Sequence, residues 1–305
     1  DVRAQTNSAT RPATPSSTDD LDLFTVYYKV TFVDQWGREG PGSLTSAAVD
    51  IQEYTVDAVS YMAKEVVLTL PVTPSGNYAF GTGSLLRIYR ANYTSSGVGT
   101  FQFVAEVSLG TTSYTDRIPS GSLDEAMSTD DWFGPPDDDT SLYPNGPLRH
   151  IGAHPSGFMF GHNKHELAFS EPGTTHAWPI AYQKSVKETI VTTILSGGDI
   201  VVLTDAVPYI YSGLSPSSMS PVRIARPYPC VSQDAVVEMN GAVFYASTNG
   251  LVGISGSDAE IITSAFYRDV DWRALNPSTM RFGHYDGKIF IFRANQPTFV
   301  FDPTA

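Results

Sequence analysis

The chain has 305 residues, a net charge of −13, 17% charged residues and a single cysteine. This length accommodates two ordinary domains, and the lone Cys230 excludes an internal disulfide framework and any multi-cysteine metal site. Proteins that grip nucleic acid through its phosphates carry a basic surface, so the acidic balance argues against direct binding of DNA or RNA. An acidic surface that faces DNA without binding it remains compatible with the sequence. Apolar runs are too short for a membrane span, which needs about 18–20 residues.

The composition predicts an all-β fold. Gly and Pro number 25 and 21, and Phe and Tyr number 16 each, while helix-forming Lys and Glu are scarce. Residues 1–20 consist mainly of Ser, Thr, Pro, Ala and Asp, which predicts an extended arm or linker that orders on assembly. Because residue 1 is Asp rather than Met, we expect a processed product or part of a longer polypeptide.

A small β-sandwich is predicted for residues 21–118. Apolar and polar residues alternate with a period of two from Phe24 to Val33, which indicates one long strand. A turn-rich segment follows, and a second strand at 45–51 completes a hairpin with a long loop. Further strands are predicted at 65–70, 85–91, 101–108 and 113–116. Six strands joined by short polar turns are typical of a sandwich.

Residues 119–147 predict an acidic connector. Frequent Pro and Gly interrupt any regular element, and acidic residues cluster at 130–131 and 137–139. Trp132 and Phe133 are unusual for a free linker, so we expect them to lie on a domain surface.

An internal repeat occupies residues 148–305. Four pairs of apolar strands begin at residues 157, 199, 241 and 287, which are 42, 42 and 46 residues apart. One four-stranded propeller blade takes about 40–50 residues. A further strand precedes each pair, at 148–153, 188–195, 235–239 and 280–285. The repeat predicts about three and a half β-propeller blades, so upstream sequence or a neighbouring subunit is expected to complete the ring.

One helix is predicted at residues 267–275. Asp269 is a plausible N-terminal cap, and Pro277 follows the end of the pattern.

Two histidine pairs have the spacing of metal ligands on a helix, but neither lies in a helical pattern. His162 and His165 fall in a hairpin turn, where an exposed polar turn is the better interpretation. His150 and His154 precede the next strand pair, and His154 and His176 are expected to pack within proline-containing loops. No metal site is predicted from these residues.

Other motifs indicate no enzyme. Residues 137–139 lack the order of a calcium loop and are expected to be solvated. Residues 81–83 (GTG) precede a strand, so they do not form a phosphate cradle at a helix terminus. The sequon at Asn92 is a weak match without a secretory signal, and Cys230 is expected to be a small buried residue. No catalytic, cofactor-binding or metal-ligating residue is assigned, and no cofactor is expected.

Aromatic residues are the remaining candidates for a sugar or protein site. Most lie in strand patterns, where core packing is the expected role. The six are Tyr27, Tyr28, Trp36, Tyr228, Tyr267 and Trp272.

Segments of the first half resemble fibronectin type III modules. Residues 27–43 (YYKVTFVDQWGREGPGS) resemble the late strands of such a module. Residues 86–91 (LRIYRA), 101–106 (FQFVAE) and 112–116 (TSYTD) resemble other strands. The resemblance implies a permuted order, because the segment similar to the last hairpin comes first.

Segments of the second half resemble a family of tailed-bacteriophage virion proteins. The matching segments are 157–160 (GFMF), 166–172 (ELAFSEP), 176–179 (HAWP), 229–232 (PCVS), 245–252 (YASTNGLV) and 274–277 (ALNP). The resemblance implies a structural protein of the virion tail, similar to the nozzle or tubular proteins of short-tailed phages. In that role several copies form a ring that extends the portal channel, and genomic DNA passes without specific binding. The implied partners are other copies of the chain and further virion proteins, namely a portal or adaptor and a tail fibre or needle.

Two other functions stay open at this point. A receptor- or glycan-binding tail appendage predicts an exposed aromatic platform with acids and amides nearby. A propeller hydrolase predicts paired carboxylates at the mouth of the central channel, one with a raised pKa.

Overall fold

The computed structural model describes residues 3–7, 21–56, 58–74 and 79–303. Antiparallel sheets dominate it, which confirms the predicted all-β class. The chain divides into two compact units, Asp1–Trp132 and Phe133–Ala305. We call them the sandwich unit and the blade array, and describe each by itself.

The sandwich unit contains two antiparallel sheets. The smaller has the order β1-β5-β9, and the larger has the order β4-β3-β2-β6, with β7 and β8 both paired to β6. The strands are β1 (Arg3–Asn7), β2 (Asp22–Val33), β3 (Val49–Val56), β4 (Val59–Met62), β5 (Glu65–Thr69), β6 (Leu85–Thr94), β7 (Gly97–Val98), β8 (Gln102–Ser108) and β9 (Ser113–Asp116).

Alternation along β2 builds the core between these sheets. Val26, Tyr28 and Val30 point inward and are fully buried, together with Leu68 of β5 and Ile88 of β6. The predicted hairpin of β2 and β3 is confirmed and lies within the larger sheet. Its second strand begins later than predicted, because residues 40–46 run beside β2 and their N–H groups donate to its carbonyl oxygens.

The predicted N-terminal arm is wrong for residues 3–7. These residues form β1, which pairs with β5 from Arg3 opposite Thr69 to Asn7 opposite Glu65. Backbone hydrogen bonds require no apolar side chains, so a polar segment can satisfy an open strand edge. Residues 1–2 and 8–20 of the predicted arm lie outside the described residues.

The predicted connector is divided between the two units. On the sandwich side, Asp124 and Met127 donate backbone N–H groups to carbonyl oxygens of Phe103 and Phe101, and half-buried Trp132 lies on that unit. On the other side, the carbonyl oxygen of Phe133 accepts from a backbone N–H of the blade array. The segment is therefore held to each unit by backbone hydrogen bonds, although most of its residues are exposed.

The blade array contains three four-stranded sheets and one three-stranded sheet. Each is an antiparallel meander in chain order, named the first to the fourth sheet. Their strands are β10 (Arg149–Ala153), β11 (Met159–His162), β12 (Glu166–Phe169), β13 (Lys184–Ser185); β14 (Ile190–Ser196), β15 (Asp199–Thr204), β16 (Tyr209–Ser212), β17 (Ser220–Arg223); β18 (Val236–Met239), β19 (Ala242–Ala246), β20 (Leu251–Ser255), β21 (Asp258–Ile261); and β22 (Arg281–Tyr285), β23 (Lys288–Arg293), β24 (Gln296–Phe301).

Successive sheets stack through apolar cores in the order expected of propeller blades. The first strands of neighbouring sheets contact one another in the series β10, β14, β18 and β22. One core joins the first and second sheets, a second joins the second and third, and a third joins the third and fourth. All twelve strands predicted for the repeat are present, at slightly different bounds.

The helix is shorter than predicted and is capped differently. It spans Asp269–Ala274, and Arg268, not Asp269, is its extended N-cap residue. No side chain caps it; the Arg268 guanidinium instead pairs with the Asp271 carboxylate at 2.8 Å. Buried Trp272 fixes the helix by donating its indole N–H to the carbonyl oxygen of Ser247 at 2.8 Å. No helix in the described part of the chain is long and apolar enough to cross a membrane.

Candidate functional site

The turn between β11 and β12 is partly buried: Lys164 is exposed, as predicted for the turn, but the predicted exposure is wrong for His162 and Asn163. His162 is 2% exposed and Asn163 is 3% exposed. The Nδ1–H of His162 donates to the carbonyl oxygen of Asn163 at 3.0 Å, and that of His165 donates to Glu188 at 3.1 Å. The Asn163 side-chain oxygen accepts from the backbone N–H groups of His165 and Glu166. These bonds satisfy the buried polar groups of the turn except Nε2 of His162, which is buried and has no hydrogen-bond partner among the described residues.

The other histidines do not form a second pair. His154 is packed as expected: its Nε2–H donates to the carbonyl oxygen of Gly198 at 2.8 Å, and its ring stacks on Phe158. His150 is exposed on β10, and His176 is exposed in its loop, so the packing predicted for His176 is wrong. Among the described residues, no group of three or more His, Cys, Asp or Glu side chains is placed to hold a metal ion.

The acidic run and the cysteine have ordinary surroundings. Asp139 is exposed and accepts hydrogen bonds from the hydroxyl and N–H of Ser141, which lower the pKa of its carboxyl. Cys230 is buried, as predicted, and its burial raises the pKa of its thiol to about 12.

The remaining predicted motifs lie in strands or cores. Residues 81–83 lead into β6, as expected, and Asn92 lies within that strand rather than in a loop. Tyr28 and Trp272 are fully buried, which confirms their predicted packing role. Trp36 is the exception: its ring is exposed, and the Arg38 guanidinium lies 4.8 Å from its centroid.

A buried ion pair inside the sandwich was not anticipated from the sequence. Arg90 of β6 and Asp116 of β9 are both fully buried, and their side chains meet at 2.6 Å. The Tyr28 hydroxyl donates to the same carboxylate at 2.8 Å, and Arg90 also donates to the carbonyl oxygen of Ile118 at 2.7 Å. Burial and the Asp116 charge raise the pKa of Tyr28. Because the group joins the two sheets and excludes solvent, it is structural.

The candidate functional surface is one face of the fourth sheet, which we call the open face. It consists of Tyr285, Phe290, Phe292 and Val300. Strand register places Phe290 opposite both Gly283 and Val300, so these positions share a face. Tyr285, Phe292 and Val300 are exposed, although the opposite face of the same sheet packs into the core shared with the third sheet.

In the third sheet, the equivalent face is buried against the neighbouring sheet. Phe244 follows Gly241 by three positions, as Phe290 follows Gly287, and each lies on the second strand of its sheet, on the side away from the preceding sheet. Phe244 is buried against the fourth sheet, and Ala246 beyond it is 0% exposed. The matching Phe292 is 48% exposed. The fourth sheet therefore carries large apolar side chains at the positions of an inner blade, together with Arg281 and Lys288, on a face that stays largely exposed among the described residues.

Comparisons with known proteins give no family. No family model matches the sequence, and no curated protein sequence matches it significantly. Among solved structures, the chain is similar to the extracellular domain of a putative one-component system from B. thetaiotaomicron, with 10% identity and a TM-score of 0.38. The match covers 93% of this chain and 40% of that one. A similarity of this size transfers no function.

Proposed function

We propose that the protein is a structural component of a bacteriophage tail, a nozzle or tubular protein that assembles into an oligomeric ring around the DNA ejection channel. The open face of the fourth sheet is the observation that carries this proposal. The sequence resemblance to tailed-phage virion proteins is the reason for assigning this assembly to a phage tail.

An exposed apolar sheet face indicates a packing partner. Scattered surface apolar residues are common, but contiguous patches mark interaction sites. Arg281 and Lys288 share this side of the sheet, but its middle strand repeats the phenylalanine position of the buried face of the third sheet, so its natural partner is another β-sheet. That sheet comes from this polypeptide or from a neighbouring subunit, and covering the face extends the array toward a ring.

The charge of the chain suits a channel for DNA. With 32 acidic and 19 basic side chains, the protein repels a polyanion at short range instead of holding it. A wall that does not grip phosphates lets the duplex slide. In this role the portal or adaptor and the tail fibre or needle are its neighbours in the virion.

Electron microscopy of intact particles tests the proposal. We expect a ring of this protein coaxial with the portal, and no retention of DNA by the purified ring at physiological salt. Monomers in solution together with absence from the particle axis would overturn the proposal, as would peripheral trimers.

A pair of variants tests the open face directly. Val300→Ser should reduce ring assembly because it makes an exposed interface residue polar. Val222→Ser on β17 is the matched control, since Val222 is 49% exposed and Val300 is 56% exposed. If both variants assembled equally well, the open face would not be part of the subunit interface.

A receptor- or glycan-binding appendage is the second candidate. The exposed ring of Trp36 favours it. A peripheral location in the particle is the outcome that would place this function first.

A further inference from the structure

Among the described residues, the fourth sheet lacks the outer strand that completes the other three sheets. The first three sheets end in β13, β17 and β21, whereas the fourth ends in β24, its third strand. β24 pairs with β23 along one edge, and no described strand pairs with the other edge. An unpaired edge presents N–H and carbonyl groups to which a further strand can add.

Burial along the third strands shows where a strand is missing. Tyr211 of β16 and Val252 of β20 pack toward the preceding sheet and are 1% and 0% exposed. Phe299 and Phe301 of β24 pack toward the third sheet in the same way, but both are only half-buried. One more strand beside β24 would cover them.

Outer strands elsewhere in the array contribute to the core shared with the preceding sheet. Met219, directly before β17, is buried in the core of the first and second sheets. Ala259 of β21 is buried in the core of the second and third sheets. The core of the third and fourth sheets receives no such side chain from any described residue beyond β24. The equivalent position beside β24 is therefore open.

A groove of about 260 Å³ lies on the third sheet next to this position. Pro303, two residues after the end of β24, lines it. Gly253 keeps its floor low, because a Cβ there would lie 3.3 Å from both the Phe244 ring and Ile262. Strand register places two rows of residues side by side across the floor, namely Phe244–Gly253–Glu260 and Ala242–Ser255–Asp258.

Two carboxylates stand at the outer side of the groove. Asp258 and Glu260 lie two positions apart on β21, so they project from the same face of that strand. Both residues are exposed, and neither forms an ion pair with a described residue. Side chains on one face of any extended strand have the same two-residue spacing. The groove therefore matches a strand with basic residues at alternate positions.

We propose that a basic β-strand of a second protein adds to the open edge of β24 and completes the fourth sheet. The backbone of the added strand pairs with β24. Its lysine or arginine side chains occupy every second position, with their aliphatic stems over Gly253 and Ser255. Their charged ends pair with Asp258 and Glu260.

The distribution of basic residues argues against a second copy of this chain as the donor of the strand. Nowhere in the 305 residues do two Lys or Arg residues lie two positions apart. The donor is therefore a protein of different sequence. The edge and the groove are separate from the open face, so this inference goes beyond the proposed ring.

A synthetic strand tests the open edge on the full chain. The probe is the seven-residue peptide KVKVKVK, and calorimetry measures its binding. Hydrogen exchange with mass spectrometry follows the backbone amides of residues 296–301. We expect saturable binding and at least tenfold slower exchange in this segment. Absence of saturable binding, or binding without slower exchange at 296–301, would overturn the proposal.

Two control peptides separate strand addition from charge attraction. EVEVEVE reverses the charge, and a fully N-methylated KVKVKVK keeps the charge but has no backbone N–H to donate. Both should bind at least tenfold more weakly than the probe. Equal binding of the N-methylated peptide would mean that charge alone attracts the probe, and equal binding of EVEVEVE would contradict the basic character of the strand.

Charge-removing variants place the peptide in the groove. Asp258→Asn and Glu260→Gln should each weaken KVKVKVK binding about two- to fivefold, because each removes one exposed ion pair. Asp138→Asn is the matched control, since Asp138 is also exposed but lies outside the groove. Equal weakening in all three variants would show a general charge effect, and unchanged binding in the two groove variants would likewise contradict the site.

Discussion

The sandwich unit and the blade array bury their strands by different means. In the sandwich, two sheets cover each other and the Arg90–Asp116 pair joins them inside the core. In the array, four sheets share three apolar cores, and the fourth sheet presents the open face. Two sheets of a sandwich bury each other's inner faces. In a stack of similar sheets the last sheet always has one inner-type face left over, so another partner is needed to cover it.

The largest expected effect comes from breaking the buried pair of the sandwich. Asp116→Asn leaves the Arg90 charge buried without its counter-charge, so we expect a loss of about 3–5 kcal/mol of stability. Urea unfolding with hydrogen-exchange mass spectrometry would assign the loss to the sandwich unit.

An exposed pair nearby provides the control for this variant. Arg117 pairs with Glu65 at 2.6 Å but is largely exposed, so Arg117→Gln should cost at most about 1 kcal/mol. Similar losses from both variants would contradict a special role for the buried pair.

Phe244 and Phe290 hold equivalent positions, Phe244 on a covered face of the third sheet and Phe290 on the open face of the fourth. Phe244→Ala should cost about 3–5 kcal/mol because it leaves a cavity in a closed core. Phe290→Ala should cost clearly less in the isolated chain, since Phe290 is only partly buried. Thermal unfolding of both variants measures the difference. An equal loss would mean that the open face is already covered in the isolated chain.

Acid should weaken the array through His162. The unfolded chain protonates this imidazole below about pH 6.5, but the folded chain does so only near pH 4. Stability therefore falls as the pH decreases through this window, by about 2 kcal/mol between pH 7 and pH 5. In His162→Gln the same decrease in pH should cost about 2 kcal/mol less, measured by urea unfolding at both pH values. An unchanged pH dependence would assign the acid sensitivity to another group.

The smallest effect is expected at Cys230. Burial raises the pKa of its thiol to about 12, so iodoacetamide at pH 8 should label the native protein negligibly and label it fully in urea. Rapid labelling without denaturant would reveal local opening between the second and third sheets, whose shared core contains Cys230.

Strong side-chain periodicity made much of this fold predictable from sequence. The β2 alternation and the four apolar strand pairs of the repeat mark buried faces, and the structure has strands at each of them. Outer strands such as β13 and β17 were missed because they are short or exposed and carry no apolar pattern. These strands, like β1, are defined only by their backbone hydrogen bonds to a neighbouring strand.

The candidate sites were harder to predict, because they depend on contacts between distant residues. Nothing local to Arg90 or Asp116 indicates that they meet inside a core. The open face did carry a signal: residues 287–292 repeat the apolar pattern of residues 241–246, but the pattern cannot show that the last face lacks a cover.

The separation of bonded residues along the chain sets an order of events during synthesis. Tyr28 and Asp116 are 88 residues apart, so the sandwich core cannot close until β9 has left the ribosome. Each sheet of the array instead pairs strands that follow one another directly, and it can form as soon as its own segment emerges. A nascent chain thus completes its first unit late and adds the later sheets one at a time, each onto an already formed neighbour. The face exposed at any moment of this growth is the face toward the next sheet, which is the face the finished fourth sheet still presents.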